Sequence, residues 1–247
     1  MGFWPVVLNV LRNSDVVLML VDARMPEVGR NSEIVRKVDS MGKKLVYVFN
    51  KIDLVGRKDV EELKRFYPDG FFISATRKVG VRELKLFLEK MADGWGRSSL
   101  RVGVVGYPNV GKSSLINLLA VGARAKVSSV AGTTRKTQWV RVGRLRIMDS
   151  PGVIPFGDGR IQVGMTASKD AHKIKNPEKV AIFLLGESER VRLAIKNFYG
   201  VDGESVDDVF EAIGRKRGYL VKGGEVDENR TAVKIIDDWQ KGKIRLK

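Results

Sequence analysis

The sequence of 247 residues predicts an α/β domain on a mostly parallel, doubly wound sheet, followed by a small all-α domain. Three observations predict it. Short apolar runs rich in β-branched residues alternate with segments of helical periodicity over the first two thirds of the chain. Each run ends in a polar or glycine-rich loop, where such sheets carry their ligand sites. Beyond about residue 168 the runs give way to amphipathic stripes with helix stop signals. The expected boundaries are 1–168 for the sheet domain and 169–247 for the helical one.

Taken in order, Val16 to Val21, between Asp15 and Asp22, reads as a buried strand, as does Leu45 to Phe49 before Asn50. Between them, Asn31 to Met41 has the charge content of a helix and closes at Gly42. Lys58 to Tyr67 reads as a second helix, stopped by Pro68-Asp69-Gly70. Phe71 to Ile73 is a third strand, leading into Ser74-Ala75-Thr76. Val81, Leu84, Leu88 and Met91 share one helical face. Gly94 to Ser99 has the composition of a linker. Arg101 to Gly106 then reads as a strand and Ser113 to Ala120 as a helix. Gln138 to Val142 and Leu145 to Met148 form a hairpin about Gly143-Arg144. In the last part, Val180 to Leu185 fits either helix or strand, with helix preferred. Ser188 opens a stripe of Val191, Ile195 and Phe198. Ser205 and Asp208 make a capping box before Val209, Phe210 and Ile213. Ala232, Ile235, Ile236 and Trp239 form a last stripe, ending at Gly242.

Hydrophobic residues make up 43% and charged residues 30%, a globular composition. The apolar run Val16 to Val21 is far short of the ~20 residues that span a bilayer, and no signal-peptide pattern opens the chain. The absence of cysteine excludes disulfides and thiolate metal sites and makes a cytoplasmic location the expectation. The net charge of +16 points to a polyanionic partner; a generally basic, thermophile-like surface is the other reading. The distribution favours the first, and RNA in particular. Residues 94–148 carry 10 basic side chains and no acidic one, more than one nucleotide requires.

Gly106-Tyr107-Pro108-Asn109-Val110-Gly111-Lys112-Ser113 has the full G-x-x-x-x-G-K-S spacing between a strand and a helix. Its glycines let backbone amides wrap phosphates without a Cβ clash. Lys112 would reach the β- and γ-phosphates and the Ser113 hydroxyl would ligate Mg2+. Val110, Gly111, Lys112, Ser113 and Ser114 are therefore the expected phosphate-site positions. Asp149-Ser150-Pro151-Gly152 also follows a strand; Asp149 would hold Mg2+ through water, and the Gly152 amide would sense a γ-phosphate. Asn50-Lys51-Ile52-Asp53 sits at a third strand end. Asp53 can accept from guanine N1–H and the 2-amino group, which adenine cannot match. Asn50 would tie this loop to the phosphate loop, and the Lys51 stem would cover the base. The Ser74-Ala75 pair would bring the Ala75 amide to guanine O6. Together these loops select GTP or GDP over adenine nucleotides through the penalty for unpaired polar groups.

The motifs run base, base, phosphate, switch, Mg2+, whereas a conventional GTPase begins with the phosphate loop. All are loops at one edge of one sheet, so only the connections differ. In this order, and in Asp22-Ala23-Arg24-Met25-Pro26, Gly132-Thr133-Thr134 and the pattern from Ala232 to Ile244, the chain resembles the circularly permuted GTPases of the YlqF/YawG type. These assist assembly of the large ribosomal subunit. The resemblance implies a Rossmann-like P-loop GTPase domain, a helical C-terminal domain that binds ribosomal RNA, and GTP with Mg2+ as ligands. It also implies that Thr134 ligates Mg2+ and that the catalytic set includes Lys112, Thr134, Gly152 and Asn109. Similar GTPases with asparagine at the Asn109 position bind K+ beside the phosphates; the other reading is that Asn109 only shapes the loop. Bacterial members begin with a histidine-bearing stretch. Gly2 to Val7 has no such histidine, which points to an archaeal-type member, and the single His172 lies far along the chain.

A glutamine orients the attacking water in conventional GTPases just after the D-x-x-G glycine. Val153 and Ile154 stand there and cannot hydrogen-bond a water, so slow unassisted turnover is expected. The favoured reading is an RNA-stimulated GTPase of large-subunit assembly, monomeric and without membrane contact. The alternative is an RNA-binding placeholder that uses GTP occupancy with negligible turnover. Arg215, Lys216, Arg217 and Lys222, with Tyr219 among them for base stacking, are the expected helical part of the RNA face.

Overall fold

The computed structural model describes residues 4–120, 139–150, 171, 174 and 176–246. The chain divides into two compact units, Met1–Pro155 and Phe156–Lys247.

Among the described residues the first unit is built on six strands: β1 Val16–Asp22, β2 Lys44–Asn50, β3 Phe71–Phe72, β4 Leu100–Gly106, β5 Trp139–Val142 and β6 Leu145–Asp149. Their order across the sheet is β3-β2-β1-β4-β6-β5, parallel throughout except for the β5–β6 hairpin. β1 is buried along all but its last residue, as its unbroken apolar run requires of a strand covered on both faces.

Helices α1 Trp4–Asn13, α2 Pro26–Gly29, α3 Ser32–Ser40, α4 Arg57–Phe66, α5 Val81–Gly94 and α6 Lys112–Leu119 connect and cover these strands. Asn31 caps α3 by accepting from the Glu33 and Ile34 amides at 3.0 Å each. On α5 the buried positions are Val81, Leu84, Leu88 and Ala92; Met91 packs at the cluster's margin. These side chains meet Val102, Val104, Leu115, Leu119, Val142, Leu145 and Ile147 in one core. Helix α1 is an element that the sequence reading did not assign. Its Val7, Val10 and Leu11 are fully buried, and Val10 lies close over Gly103 of β4.

The second unit consists of α7 Pro177–Gly186, α8 Glu189–Tyr199, α9 Val206–Lys216 and α10 Glu228–Gln240. The ambiguous segment is the helix α7. The capping box at Ser205 and Asp208 forms in both directions, at 3.0 and 2.9 Å. On α8 the third buried position is Tyr199, with Phe198 37% exposed, so the stripe runs Val191, Ile195, Tyr199. The reason is polar: the Tyr199 hydroxyl donates to Asp238 Oδ2 at 2.8 Å, which a phenylalanine could not. Among the described residues no helix is long and apolar enough to cross a membrane.

Candidate nucleotide site

The register places the ends of four strands together. Asp22 pairs with Asn50, Leu20 with Gly106, and Val104 with Asp149. The loops after β1, β2, β4 and β6 therefore leave from one edge of the sheet, as the permuted order requires.

From Gly106 the chain turns into α6 through Asn109, at φ 55°, and Gly111, at φ 100°. Gly111 is needed there twice over: its backbone is left-handed, and a Cβ would run into the Asn50 amide. Lys112, 8% exposed, donates to the carbonyls of Gly106 and Tyr107 at 3.0 and 2.7 Å. Burial pushes its pKa down to about 8, with the charge of Asp149 opposing. Ser113 Oγ donates to Asp149 Oδ2 at 3.0 Å. Burial raises the Asp149 pKa against the pull of Lys112 and Ser113, and its Oδ1 is buried without a hydrogen-bond partner.

That orphaned oxygen beside a hydroxyl suits a hard, oxygen-seeking cation such as Mg2+. Among the described residues no three His, Cys, Asp or Glu side chains converge on a metal position. Such a cation would therefore complete its shell from phosphate and water, as nucleotide-bound Mg2+ does.

The Asn50 amide joins three loops. Its Nδ2 donates to the Val110 carbonyl at 2.7 Å, and its Oδ1 accepts from the Ala75 amide at 3.0 Å. The expected tie between the Asn50 loop and the phosphate loop is therefore present. The Ala75 amide, expected at guanine O6, already has this internal acceptor and would have to be shared. Asp53 lies in a 3-10 turn, Ile52–Leu54. Its Oδ1 accepts from Ser74 Oγ at 2.6 Å, and Arg77 Nε lies 4.0 Å from Oδ2.

Sequence reasoning gave Lys51 its role over the base but assigned none to Asp22 or Arg24. Lys51, itself left-handed at φ 67°, pairs through Nζ with Asp22 Oδ2 at 2.9 Å. Arg24 holds the same carboxylate through Nη2 at 2.8 Å and Nε at 3.1 Å. Burial works to raise the Asp22 pKa, but the two cations outweigh it and hold the group far below the usual carboxylate range. The Lys51 stem is thereby fixed in direction. The signal was the strand register, which sets Asp22 beside Asn50. Thr134, Gly152, Val153 and His172 lie outside the described residues.

The expected helical RNA cluster is less free than its composition suggests. Arg215 pairs with Glu211 at 2.7 Å, Lys216 donates to the Gly200 carbonyl, and the Arg217 guanidinium lies 5.1 Å from the Tyr199 ring centre. The Tyr219 ring carries the Arg230 guanidinium at 4.3 Å.

A phosphate loop, an acid beside its serine and a two-part base loop on one parallel sheet define a P-loop protein of the GTPase class, with motifs in permuted order. Comparison with known proteins agrees. Residues 101–210 match the family described as 50S ribosome-binding GTPase. The chain is 40% identical over 243 residues to an uncharacterized GTP-binding protein of Methanocaldococcus jannaschii, covering 97% of this chain and 65% of that protein. It is 30% identical over 254 residues to nucleolar GTP-binding protein 2 of Pneumocystis carinii, covering 98% and 52%. It shares the fold of GNP-bound YlqF from T. maritima, with a TM-score of 0.64 at 24% identity, covering 97% and 93%. Over nearly its whole length the chain is similar to these GTP-binding proteins, and it shares the fold of YlqF. It spans between half and two thirds of the length of these curated relatives.

Proposed function

We propose that this protein binds GTP with Mg2+, hydrolyses it to GDP and phosphate, and acts through RNA contact in assembly of the large ribosomal subunit. The observation that carries the reading is Asn50, which joins a guanine-type loop to the phosphate loop at 2.7 Å. The names of relatives support it: one is a nucleolar GTP-binding protein, and the matched family is described as ribosome-binding.

Amides from Val110 to Ser114 and the Lys112 ammonium take the phosphates. Phosphate charge offsets the burial that depresses Lys112, so the side chain stays cationic against developing negative charge. Ser113 and Asp149 would hold Mg2+, with Thr134 added on family resemblance, and the ion would supply positive charge against the phosphates. Asp53 accepts from guanine N1–H and the 2-amino group, and Lys51, aimed by Asp22, covers the base. The Gly152 amide senses the γ-phosphate. Asn109, left-handed in the phosphate loop, would offer its side chain to a K+ ion beside the phosphates, on resemblance to similar GTPases.

Asp53→Asn is expected to weaken GTP binding at least tenfold and favour xanthosine nucleotides, read by titration calorimetry. Unchanged GTP affinity would remove Asp53 from the site. The placeholder reading is favoured by Val153 and Ile154, which cannot orient water. Single-turnover hydrolysis with and without large-subunit particles, in K+ and in Na+, separates the two. Stimulation by particles and by K+ is expected, and a flat, negligible rate under all four conditions would leave the placeholder.

A further inference from the structure

On the sheet face that α1 covers at Gly103, the β4–β6–β5 corner carries an exposed row that neither nucleotide binding nor the fold explains. Leu100, Val102, Val142, Leu145 and Ile147 enter the core from these strands. Strand alternation turns the residues between them to the opposite face. There Arg101 stands beside Arg146, and Arg146 opposite Arg141, so three arginines form one row across three strands. All three are exposed. Trp139, two residues from Arg141 on the same face, is 40% exposed.

Like charges directly across strands destabilise a sheet, so the row works against folding. Arg101 is neutralised by Asp15, with Nη2 2.7 Å from Oδ1. Among the described residues Arg141 and Arg146 have no acid partner. Arg97 shares Asp15 at 2.9 Å and extends the strip to an open cleft of about 650 Å3. Lys43, Lys44 and Trp95 line that cleft, with Trp95 46% exposed. The result is a basic strip about three strands wide with an exposed tryptophan near each end. Its Arg97, Arg101, Arg141 and Arg146 come from a segment that holds no carboxylate from 94 to 148, and Asp15 is the acid that meets the strip.

We infer that this sheet face is a binding surface for single-stranded RNA, with phosphates on the Arg146–Arg141 row and a base stacked on Trp139. It rests on the RNA-partner reading above and assigns that partner a place on the sheet unit. Charge complementarity selects a polyanion, and aromatic rings flanking a basic track are how sheet surfaces hold unpaired bases. A duplex, whose bases are stacked internally, would use the arginines but not the tryptophan.

The test uses the full chain and a fluorescein-labelled 12-nucleotide single-stranded RNA, followed by anisotropy across a salt series. The double variant Arg141→Gln, Arg146→Gln is expected to flatten the slope of log affinity against log salt by about 1.4, two single-strand phosphate contacts. Trp139→Ala is expected to weaken binding on the order of tenfold, and Trp139→Phe to retain most of it. GDP affinity is expected to hold and the melting temperature not to fall in any variant, so lost RNA binding is not lost fold. If the parent binds RNA and the variants match it in affinity and slope, this surface is overturned while the RNA reading stands. If the parent binds neither single-stranded nor duplex RNA, both fall. Unchanged RNA affinity with lost binding to ribosomal particles would make the occupant a protein and overturn the assignment.

Discussion

Asp149 in the sheet unit and Asp238 in the helical unit are both buried carboxylates, and the two units treat them in opposite ways. Asp238 is fully buried yet completely answered from within. Lys234 and Lys243 each donate to Oδ1 at 2.8 Å, and the Tyr199 hydroxyl donates to Oδ2. Burial alone would raise its pKa, but these donors outweigh burial and hold it below the ordinary value. Asp149 is drawn down by Lys112, the Ser113 hydroxyl and the Ser150 amide but keeps an Oδ1 without a hydrogen-bond partner, and burial wins. The surface cations divide in the same way: Arg215 pairs with Glu211 inside its own helix, whereas Arg141 and Arg146 face each other. An internally closed network contributes to folding; a buried charge left half-answered marks a place prepared for a ligand.

The largest expected contrast is in stability. Asp238→Ala leaves a tyrosine hydroxyl and two ammonium groups without their acceptor, and is expected to cost about 3 to 4 kcal/mol. Asp149→Ala removes a carboxylate that folding does not favour and is expected to leave stability unchanged or higher. Urea denaturation of the two variants checks both. A loss for Asp149→Ala as large as that for Asp238→Ala would break the comparison.

A smaller effect concerns pH. The Lys112 pKa is depressed from 10.5 to about 8 in the folded chain. Its stabilising contribution is therefore complete above the unfolded value of 10.5 and is lost as pH falls through about 8. Between those limits, protein freed of nucleotide is expected to gain up to about 3 kcal/mol relative to Lys112→Met. A constant difference between parent and variant across that window would mean that Lys112 is not desolvated.

Much of this was legible because strands announce themselves by composition and loops by chemistry. The apolar runs of β1 and β2 and the spacing from Gly106 to Ser113 leave few alternatives. What the sequence concealed depends on contacts between distant segments. Trp4–Asn13 is rich in valine, a weak helix former, and becomes a helix because Val7, Val10 and Leu11 find the sheet. Phe198 and Tyr199 are equally apolar to a periodicity count, and only the position of Asp238 decides which is buried. Asp22 reads as a strand-ending acid until the register brings Lys51 to it. The Arg215 cluster reads as free charge because its partners, Glu211 apart, come from other segments.

The smallest expected effect tests the surface half of the comparison through its sign. Arg215 and Glu211 form an exposed i,i+4 pair, so Arg215→Gln is expected to lower stability by about 0.3–0.5 kcal/mol. Arg146 stands between two other arginines, so Arg146→Gln removes repulsion and is expected to raise stability by a similar few tenths of a kcal/mol. Both effects are electrostatic and exposed, so both are expected to shrink as salt rises from about 0.05 to 1 M. Opposite signs at low salt, converging at high salt, would show that the helical unit spends its cations on its own fold while the sheet face holds them against it. Equal signs would mean that Arg146 already has a partner, and the sheet face would lose its distinction from the helical cluster.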